Sequence, residues 1–291
     1  MSWIPGGDFQ MGSNLFYPEE RPLRSATVAG FWMDTAAVTQ AQFRAFVEAT
    51  GYVTTAERGR TSPQTNDLEA MLSRPGGLVF KKAPRAVSLD DPMQWWRYVE
   101  GASWRLPHGR KVQGTVGSQH PVVQISFHDA LAYAEWAGKS LPTEAEWEFA
   151  ARGGLDGAVF AWGNEELAPG GKRLANSWQG AFPYRNTQED GFLYTAPVGR
   201  YPANGYGLYD MTGNVWEWTT DLAEPAQPQA RSCCSGRPAG GPSPAVATRI
   251  LKGGSFLCSP DYCFRYRPSA RSTQEDDLST CHLGFRCVIR P

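Results

Sequence analysis

The stretch KGGSFLCSPDYCFRYRPSARS, residues 252–272, places two cysteines, Cys258 and Cys263, within one short segment. On a helix, positions five apart point to different faces, and Pro260 disfavours a helix here in any case. A turn with Pro260 and Asp261 at its centre is the better prediction. Such a turn would bring both sulfur atoms to one point, so the pair is the first candidate for a reactive site.

The residues beside the two cysteines add flexible, aromatic and positive groups. Gly253 and Gly254 allow close passage of the backbone just upstream. Aromatic residues alternate with charged ones downstream, which predicts a strand with one packed face at Tyr262, Phe264 and Tyr266. Three arginines follow the cysteines, at Arg265, Arg267 and Arg271. They could lower the pKa of a nearby thiol or bind an anionic partner.

Three interpretations of the cysteine pair remain open at this point. The first is a structural disulfide, which is the ordinary role of two nearby cysteines. The second is a redox dithiol, although the spacing is not Cys-x-x-Cys. The third is a soft-metal site, for which two thiolates alone suit Cu(I) better than zinc, since zinc prefers four ligands. The spacing does not choose among them.

The composition narrows the class of protein. With 28 basic and 29 acidic residues, the chain is nearly neutral. This balance argues against a protein that binds nucleic acids or membrane surfaces. No run of about 18 apolar residues occurs, so no membrane-spanning helix is expected. The chain of 291 residues can bury a substantial core, and its eleven tryptophans, 31 glycines and 22 prolines predict a loop-rich fold with aromatic anchors.

The cysteine usage and the N-terminal segment indicate a reducing compartment. The segment MSWIPGGDFQMGS has neither the basic nor the apolar region of a secretory signal. Six cysteines in this length are too few for a disulfide scaffold. Residues 222–248 predict an exposed excursion rich in Pro, Ala, Gly and Ser. Cys233 and Cys234 lie inside it and are expected to be free surface thiols.

Local patterns predict only a few regular elements. Capping boxes mark three helix starts, at Thr39 with Gln42, Ser126 with Asp129, and Thr143 with Glu146. Residues 120–127 are typical of a buried strand. Prolines recur through residues 54–119, which are therefore predicted to be irregular. The tryptophans of that region are expected in the core rather than on a peptide-binding surface, and they are Trp95, Trp96 and Trp104.

Two groups of acidic residues are not predicted to be catalytic. Helix capping and a solvated helix face account for the first group, Glu144, Glu146 and Glu148. The second group, Glu275, Asp276 and Asp277, is predicted to form a solvated acidic loop.

Residues 155–221 consist almost entirely of turn signals, and an irregular backbone of this length needs something to fix it. Calcium is one candidate, because loops free backbone carbonyls for a shell of six to eight oxygens. The side chains that would contribute are Asn176, Asp190, Asp210 and Glu217. Ordinary turns and caps explain the same residues, and the residues alone favour that simpler interpretation.

Several runs together carry a family resemblance, from Ile4 to Cys287 and thus over almost the whole chain. They are GGSFLC, YCFRYRPSARS, SLPTEAEWEFAARGG, and LGFRC at 283–287. The chain resembles the formylglycine-generating enzymes, also called sulfatase-modifying factors. The resemblance implies one domain over residues 1–291. It further implies a mixed α/β (α+β), loop-rich fold with little regular secondary structure, the family's variant of the C-type-lectin-like fold.

The resemblance also implies an oxidoreductase activity at the cysteine pair. By analogy, Cys258 and Cys263 hold Cu(I) as a bis-thiolate, and the thiolate of the substrate joins as a third sulfur. The substrate is an unfolded sulfatase segment with a Cys-x-Pro-x-Arg pattern, whose cysteine is oxidised by dioxygen to Cα-formylglycine. A thiol reductant completes the reaction. Ser255 and Trp216 match residues that line the active site of the family.

Two structural calcium sites follow from the same resemblance, and they favour calcium over ordinary turns. The first comprises Asn176 and Asp190 with the carbonyls of Ser177 and Phe192. The second comprises Asp210 and Glu217 with the carbonyls of Gly213 and Val215. Relatives often have Asn at position 210, and the added charge of Asp210 should not weaken a cation site.

Two further departures from the family pattern bear on location and chemistry. Secreted relatives carry disulfide cysteines at positions that match Ala134, Ala151 and Pro268, so Cys287 has no counterpart here. We therefore expect a cytoplasmic member of the family. Relatives often carry Asn where His282 stands, which retains a polar group near the site with altered properties.

Other functions on the same scaffold make different demands. Non-catalytic paralogues lack the cysteine pair, so the pair argues against that role. A non-catalytic calcium-dependent binding module would explain the turn-rich loops but not two thiols beside a glycine-rich turn. It is the main alternative. A related class that forms sulfoxides with non-haem iron uses a separate histidine-rich domain, whereas this chain has four scattered histidines.

Overall fold

The computed structural model describes residues 1–60, 67–112, 117–165, 167–223 and 246–291. Within these ranges the α-helices are short, namely α1 Gln40–Thr50, α2 Thr55–Arg58, α3 Asp67–Leu72, α4 Phe127–Trp136 and α5 Glu144–Arg152. Single 3₁₀ turns cover Pro18–Glu20, Pro92–Gln94 and Pro169–Gly171. No described helix has both the length and the apolar character needed to cross a membrane.

The strands are equally short and belong to several small sheets. In chain order they are β1 Ser2–Ile4, β2 Gly7–Met11, β3 Arg24–Val28, β4 Phe31–Met33, β5 Gly76–Phe80, β6 Trp96–Glu100, β7 Trp216–Leu222, β8 Thr248–Lys252, β9 Arg271–Glu275, β10 Leu283–Gly284 and β11 Val288–Ile289. One sheet has the order β10-β7-β8-β9, in which β10 runs parallel to β7 and the other pairs are antiparallel. The order β1-β4-β11 joins the two ends of the chain, and β2-β3 and β5-β6 are separate antiparallel pairs.

This topology determines where the cysteine stretch lies. Strands β8 and β9 are antiparallel neighbours, and Lys252 is paired with Arg271. Residues 253–270 are therefore a long loop whose two ends are fixed side by side at one end of a sheet. Both cysteines of the loop are buried in one hydrophobic cluster together with Trp216 and Trp218 of β7.

The helix starts predicted from capping boxes are confirmed. At α1, the Thr39 side chain accepts from the Gln42 amide, and the Gln42 side chain accepts from the Thr39 amide at 2.8 Å. The same reciprocal caps open α4 and α5. Helix α1 ends at Gly51, whose φ of 69° is the left-handed conformation that glycine adopts without strain.

The buried strand predicted at 120–127 is wrong, although the residues are buried. Only an isolated bridge between Thr39 and Pro121 occurs there, and α4 already begins at Phe127. Gln124 has a φ of 60°, which an extended strand does not allow. The amide of Gln124 instead donates to the carbonyl of Thr280 at 2.9 Å.

The predictions for residues 54–119 and for Tyr262, Phe264 and Tyr266 also need correction. The first region contains α2, α3 and the β5–β6 hairpin, whose register runs from Gly76 opposite Glu100 to Phe80 opposite Trp96. Its prolines interrupt elements without preventing short ones.

The aromatic segment after the cysteines is not a strand, since β8 ends at Lys252 and β9 begins only at Arg271.

The acidic groups are more buried than the sequence predicts. Glu148 lies inside, 2.8 Å from Lys252 and 2.7 Å from Arg152, and Glu144 is 3.1 Å from Arg271. Only Glu146 keeps the predicted role, as the capping partner of Thr143.

The predicted solvated loop at 275–277 is likewise buried, because Arg60 neutralises it from within. The Arg60 guanidinium lies 2.7 Å from both Glu275 and Asp277.

Candidate active site

The turn at 259–263 brings the two cysteines into contact, as predicted. The Ser259 amide donates to the Cys263 carbonyl at 3.0 Å, and the Cys263 amide donates to the Ser259 carbonyl at 2.9 Å. The two Sγ atoms are 3.1 Å apart. That separation exceeds a disulfide bond of about 2.05 Å, and none of the described cysteines forms a disulfide.

A glycine allows the two arms of the loop to approach. Gly254 has a φ of 70°, and a Cβ atom there would lie 2.7 Å from the Arg265 carbonyl oxygen. Ser255 follows, and its amide donates to Cys258 Sγ at 3.4 Å while its Oγ accepts from the Leu257 amide at 3.3 Å. Ser255 thus holds the first cysteine from both its backbone and its side chain.

The arginines downstream find anionic partners within the chain. Arg267 and Glu20 are both fully buried and lie 2.5 Å apart. Arg265 binds Glu19 through Nε at 3.1 Å and through Nη2 at 2.5 Å, and its Nη1 lies 3.8 Å from Cys263 Sγ. The N-terminal segment thus holds the cysteine loop, and the Arg265 guanidinium lies between Glu19 and a sulfur atom.

A small pocket opens at the two sulfur atoms and leaves room for a single water-sized particle. Polar atoms come from both cysteines, Ser255 and His282. Apolar and aromatic side chains complete the lining, and they are Trp95, Trp96, Phe182, Leu257 and Tyr262. The predicted core role of Trp95, Trp96 and Trp104 is confirmed by their burial, and two of the three also line this pocket.

The structure brings Cys258, Cys263 and Ser255 together, whereas Trp216 does not line the pocket. Trp216 is buried in the same cluster as the cysteines, and its amide donates to the His282 carbonyl at 2.9 Å. Its indole N–H is buried without a hydrogen-bond partner.

The donor set at the pair fits a soft metal ion such as Cu(I). Two cysteine sulfurs in contact, shielded from water by aromatic side chains, are the ligands that Cu(I) prefers. Within the described ranges, no group of three or more His, Cys, Asp or Glu side chains is arranged to hold a metal ion. The two sulfurs therefore act as a pair, and Cys258 and Cys263 are the residues that would hold the ion.

The residues predicted for the first calcium site lie close together but already have protein partners. The Asn176 amide nitrogen donates to the Tyr194 carbonyl at 2.9 Å. Asp190 accepts from the Phe192 amide at 2.9 Å and from the Tyr201 hydroxyl at 2.7 Å. The Ser177 carbonyl accepts from Gln179 at 3.3 Å. Asp190 thus forms an ordinary Asx turn, and calcium at this site stays a prediction.

The second predicted calcium site combines one suitable carboxylate with one that is already neutralised. Desolvation raises the pKa of Asp210 to about 6, which a bound cation would reverse. Glu217, by contrast, is buried against Arg286, with two bonds of 2.7 and 2.9 Å. A calcium ion there would share Glu217 with this ion pair. Gly213 and Val215, whose carbonyls complete the set, lie on the backbone between the two carboxylates.

The model of the sulfatase-modifying factor enzyme 1-like domain matches residues 1–291. The chain belongs to this family. A relative from Mycobacterium tuberculosis, named formylglycine-generating enzyme, is 50% identical over 291 residues, covering 99% of this chain and 97% of the relative. A relative from Bos taurus, named inactive C-alpha-formylglycine-generating enzyme 2, is 39% identical over 295 residues, covering 99% and 87%. Family membership by itself therefore does not decide activity.

A solved structure supports the fold. PvdO from Pseudomonas aeruginosa superposes with a TM-score of 0.63 at 23% identity, covering 98% of this chain and 92% of that one. The predicted fold class is confirmed: a loop-rich, mixed α/β single domain of the family's C-type-lectin-like type.

The sequence reasoning missed part of the pocket. It placed the polar group of His282 near the site but gave it no role, and it did not place Phe182 or Leu257 there. A signal existed in the run LGFRC, because residues next to a run that resembles the family's active-site end are expected near the site. No such signal existed for Phe182. Its ring stacks on that of Tyr262, with the centroids 4.5 Å apart, and only the fold brings the two rings together. Cys233 and Cys234 lie outside the described residues.

Proposed function

We propose that this chain is a copper-dependent oxidase that converts a cysteine in an unfolded sulfatase segment, of the pattern Cys-x-Pro-x-Arg, to Cα-formylglycine with dioxygen. The observation that carries the proposal is the pair of buried sulfur atoms 3.1 Å apart at a pocket. The pair occurs in a chain that is half identical to a relative named for this product. A calcium-dependent binding module would have no use for that pair.

The overall change defines what the site must accomplish. A cysteine thiol, dioxygen, two electrons and two protons give an aldehyde, hydrogen sulfide and water. The β-carbon loses a hydrogen and its sulfur and gains an oxygen, and a thiol reductant supplies the two electrons. A bound Cu(I) ion would supply dioxygen activation, which protein side chains alone do not provide.

The chain's own residues would prepare the two sulfurs as ligands. Metal ligation requires thiolates, and positive charge or N–H donors stabilise a thiolate. Arg265, 3.8 Å from Cys263 Sγ, offers positive charge to one sulfur. The Ser255 amide, 3.4 Å from Cys258 Sγ, offers a donor to the other. Trp95 and Trp96 keep bulk water from the reacting atoms, which protects reactive intermediates from side reactions.

The proposed substrate must be unfolded because the reacting sulfurs are buried. Cys258 is 1% and Cys263 3% exposed, so only an extended peptide can present a cysteine to them. We accordingly propose that a short peptide is converted well and folded sulfatase poorly. We also retain two structural Ca²⁺ ions and a cytoplasmic location as parts of the proposal, the latter from the sequence alone.

The test is incubation of the protein with a Cys-x-Pro-x-Arg peptide, copper, dioxygen and a thiol reductant, followed by mass spectrometry. Formation of an aldehyde-bearing peptide that requires copper is the expected result. Folded sulfatase serves as the matched comparison, and equal turnover of peptide and folded protein would contradict the proposed access to the site. An unmodified peptide would support the binding-module alternative.

A further inference from the structure

We propose that His282 contacts the substrate sulfur, its Nε2–H donating a hydrogen bond to the cysteine thiolate that enters the pocket. This inference rests on the proposed function and deepens it, since it assigns a contact to the reacting group itself. Neither the cysteine pair nor the residues predicted to line the site includes this histidine.

The first observation is an unpaired nitrogen in the pocket that also contains the two sulfurs. His282 is 2% exposed, and its Nε2 has no hydrogen-bond partner. A buried polar atom without a partner costs stability, and at the wall of a pocket a bound ligand can supply the missing bond. His282 lines the pocket together with Cys258 and Cys263. A group that reaches the sulfurs through this pocket therefore passes the His282 side chain.

The second observation is that the orientation of the ring is fixed. Nδ1 lies 2.6 Å from the Thr280 hydroxyl, which is itself buried. Trp96 packs edge-on against the imidazole with the ring centroids 5.0 Å apart. On the backbone, the His282 carbonyl accepts from the Trp216 amide at 2.9 Å. A side chain held by one hydrogen bond and one ring contact, on a backbone that is itself bonded, is a preorganised donor.

The protonation state suits donation to an anion. The imidazole is buried among apolar and aromatic side chains, an environment that favours the neutral ring with one N–H. We assign the Thr280 hydroxyl as the donor to Nδ1, which leaves the proton on Nε2. A neutral N–H stabilises an entering thiolate without the desolvation cost of a second buried charge.

A role as third metal ligand is the competing assignment for the same nitrogen. The described residues contain no three-member group of His, Cys, Asp or Glu arranged to hold a metal ion. The two cysteine sulfurs already supply the ligand pair proposed for Cu(I), so we assign the nitrogen to the incoming group, and the experiment separates the two roles.

The experiment compares two peptides on Cu(I)-loaded protein without dioxygen, so that binding occurs without turnover. One peptide carries the Cys-x-Pro-x-Arg pattern, and the other carries 2-aminobutyrate in place of cysteine, which removes only the sulfur. The Kd of the 2-aminobutyrate peptide divided by the Kd of the cysteine peptide reports how much the sulfur contributes to binding. We expect His282→Phe to lower this ratio about tenfold, the usual size for a hydrogen bond to a charged group, and to leave the 2-aminobutyrate peptide unaffected.

Two further variants keep the inference testable if His282→Phe folds poorly. His282→Gln retains a side-chain N–H at similar reach and should restore most of the ratio. Thr280→Val removes the partner of Nδ1 while keeping the shape, and should lower the ratio several-fold. Melting curves of each variant establish that the compared proteins are folded.

The outcomes are distinct. An unchanged ratio in His282→Phe, or equal weakening of both peptides, overturns the assignment. A loss of Cu(I) affinity of more than tenfold in His282→Phe with the peptide ratio preserved makes His282 a metal ligand instead. Wild-type protein that binds the cysteine peptide but forms no formylglycine with dioxygen and reductant contradicts the proposed function and leaves the sulfur contact standing.

Discussion

The cysteine loop, residues 253–270, and the turn-rich segment, residues 176–214, both have irregular backbone. They differ in whether the buried polar side chains around them have hydrogen-bond partners. In the turn-rich segment the amide side chains are satisfied within the protein. Asn204 donates to the Ala150 carbonyl at 2.8 Å, and Asn214 accepts from the Ala196 amide at 2.9 Å. At the pocket of the cysteine loop, three ring nitrogens are buried without partners, those of Trp95, Trp96 and His282.

This difference distinguishes a segment that stabilises the fold from one that is expected to bind another molecule. A buried polar group that is paired with backbone fixes a loop, because breaking it costs about 1–3 kcal/mol. A buried polar group left unpaired does not stabilise the fold, and at a pocket another molecule can complete the bond. The turn-rich segment is therefore a scaffold, and the cysteine loop is the place where chemistry is expected.

The largest effect is expected from the cysteine pair itself. Cys258→Ser and Cys263→Ser should each abolish copper-dependent conversion of the peptide, because a two-sulfur site has no spare ligand. Cys281→Ser is the matched control. Cys281 accepts from the Phe80 amide at 3.1 Å and does not line the pocket, so we expect only a modest change in stability and near-normal turnover. If Cys281→Ser lost turnover as fully as the other two, the distinction between the pair and the other cysteines would fail.

The next effect concerns the N-terminal segment that holds the cysteine loop. Glu20→Ala would leave Arg267 as an unpaired buried charge, at a cost of about 3–5 kcal/mol in the free energy of unfolding. The control is Glu100→Ala, whose partner Arg74 is exposed, with side chains 68% and 66% accessible. That surface pair should contribute less than about 1 kcal/mol. Urea unfolding of both variants measures the difference, and equal losses would mean that the buried pair does not hold the loop.

A smaller effect is expected when calcium is removed from the turn-rich segment. A ligand that binds only the folded state stabilises it by about 2.7 kcal/mol at a hundredfold excess over its Kd. Melting with and without a chelator should therefore show a lower midpoint with the chelator. Should the midpoint stay constant and elemental analysis find no calcium, the paired side chains alone fix this segment.

The smallest effect is the pH dependence of Asp210. Its folded-state pKa of about 6 lies above the ordinary value of 3.8, so the folded state binds the proton more tightly than the unfolded state. In calcium-free protein this contribution to stability is nearly full below about pH 4 and declines by roughly 2 kcal/mol as the pH rises to 6. Asp210→Asn should remove the decline. Added calcium should reverse it in the wild type, and a wild type as flat as the variant would show that Asp210 is not desolvated.

The sequence predicted what depends on neighbours along the chain. Capping boxes such as Thr39 with Gln42 and the turn at Pro260 involve contacts a few residues apart, and both are confirmed. The predictions that failed depend on distant partners. Glu275 looked solvated because nothing nearby in sequence shows that Arg60 lies 2.7 Å from it.

The candidate site divides in the same way. The cysteines and Ser255 lie within nine residues of one another and were found from the sequence. Trp95, Trp96 and Phe182 come from other regions, and only the fold brings them to the pocket. Their chemistry was visible in the sequence, but their common location was not.

The central claim is that the two sulfurs of the cysteine loop bind one Cu(I) ion on which turnover depends. Anaerobic titration of Cu(I), with peptide turnover measured on the same samples, tests it directly. The account predicts one tightly bound Cu(I) per wild-type chain and loss of both binding and turnover in Cys258→Ser and in Cys263→Ser. It also predicts that Cys233→Ser and Cys234→Ser leave both nearly intact. Substantial turnover in either Cys258→Ser or Cys263→Ser would contradict the copper assignment and the function built on it.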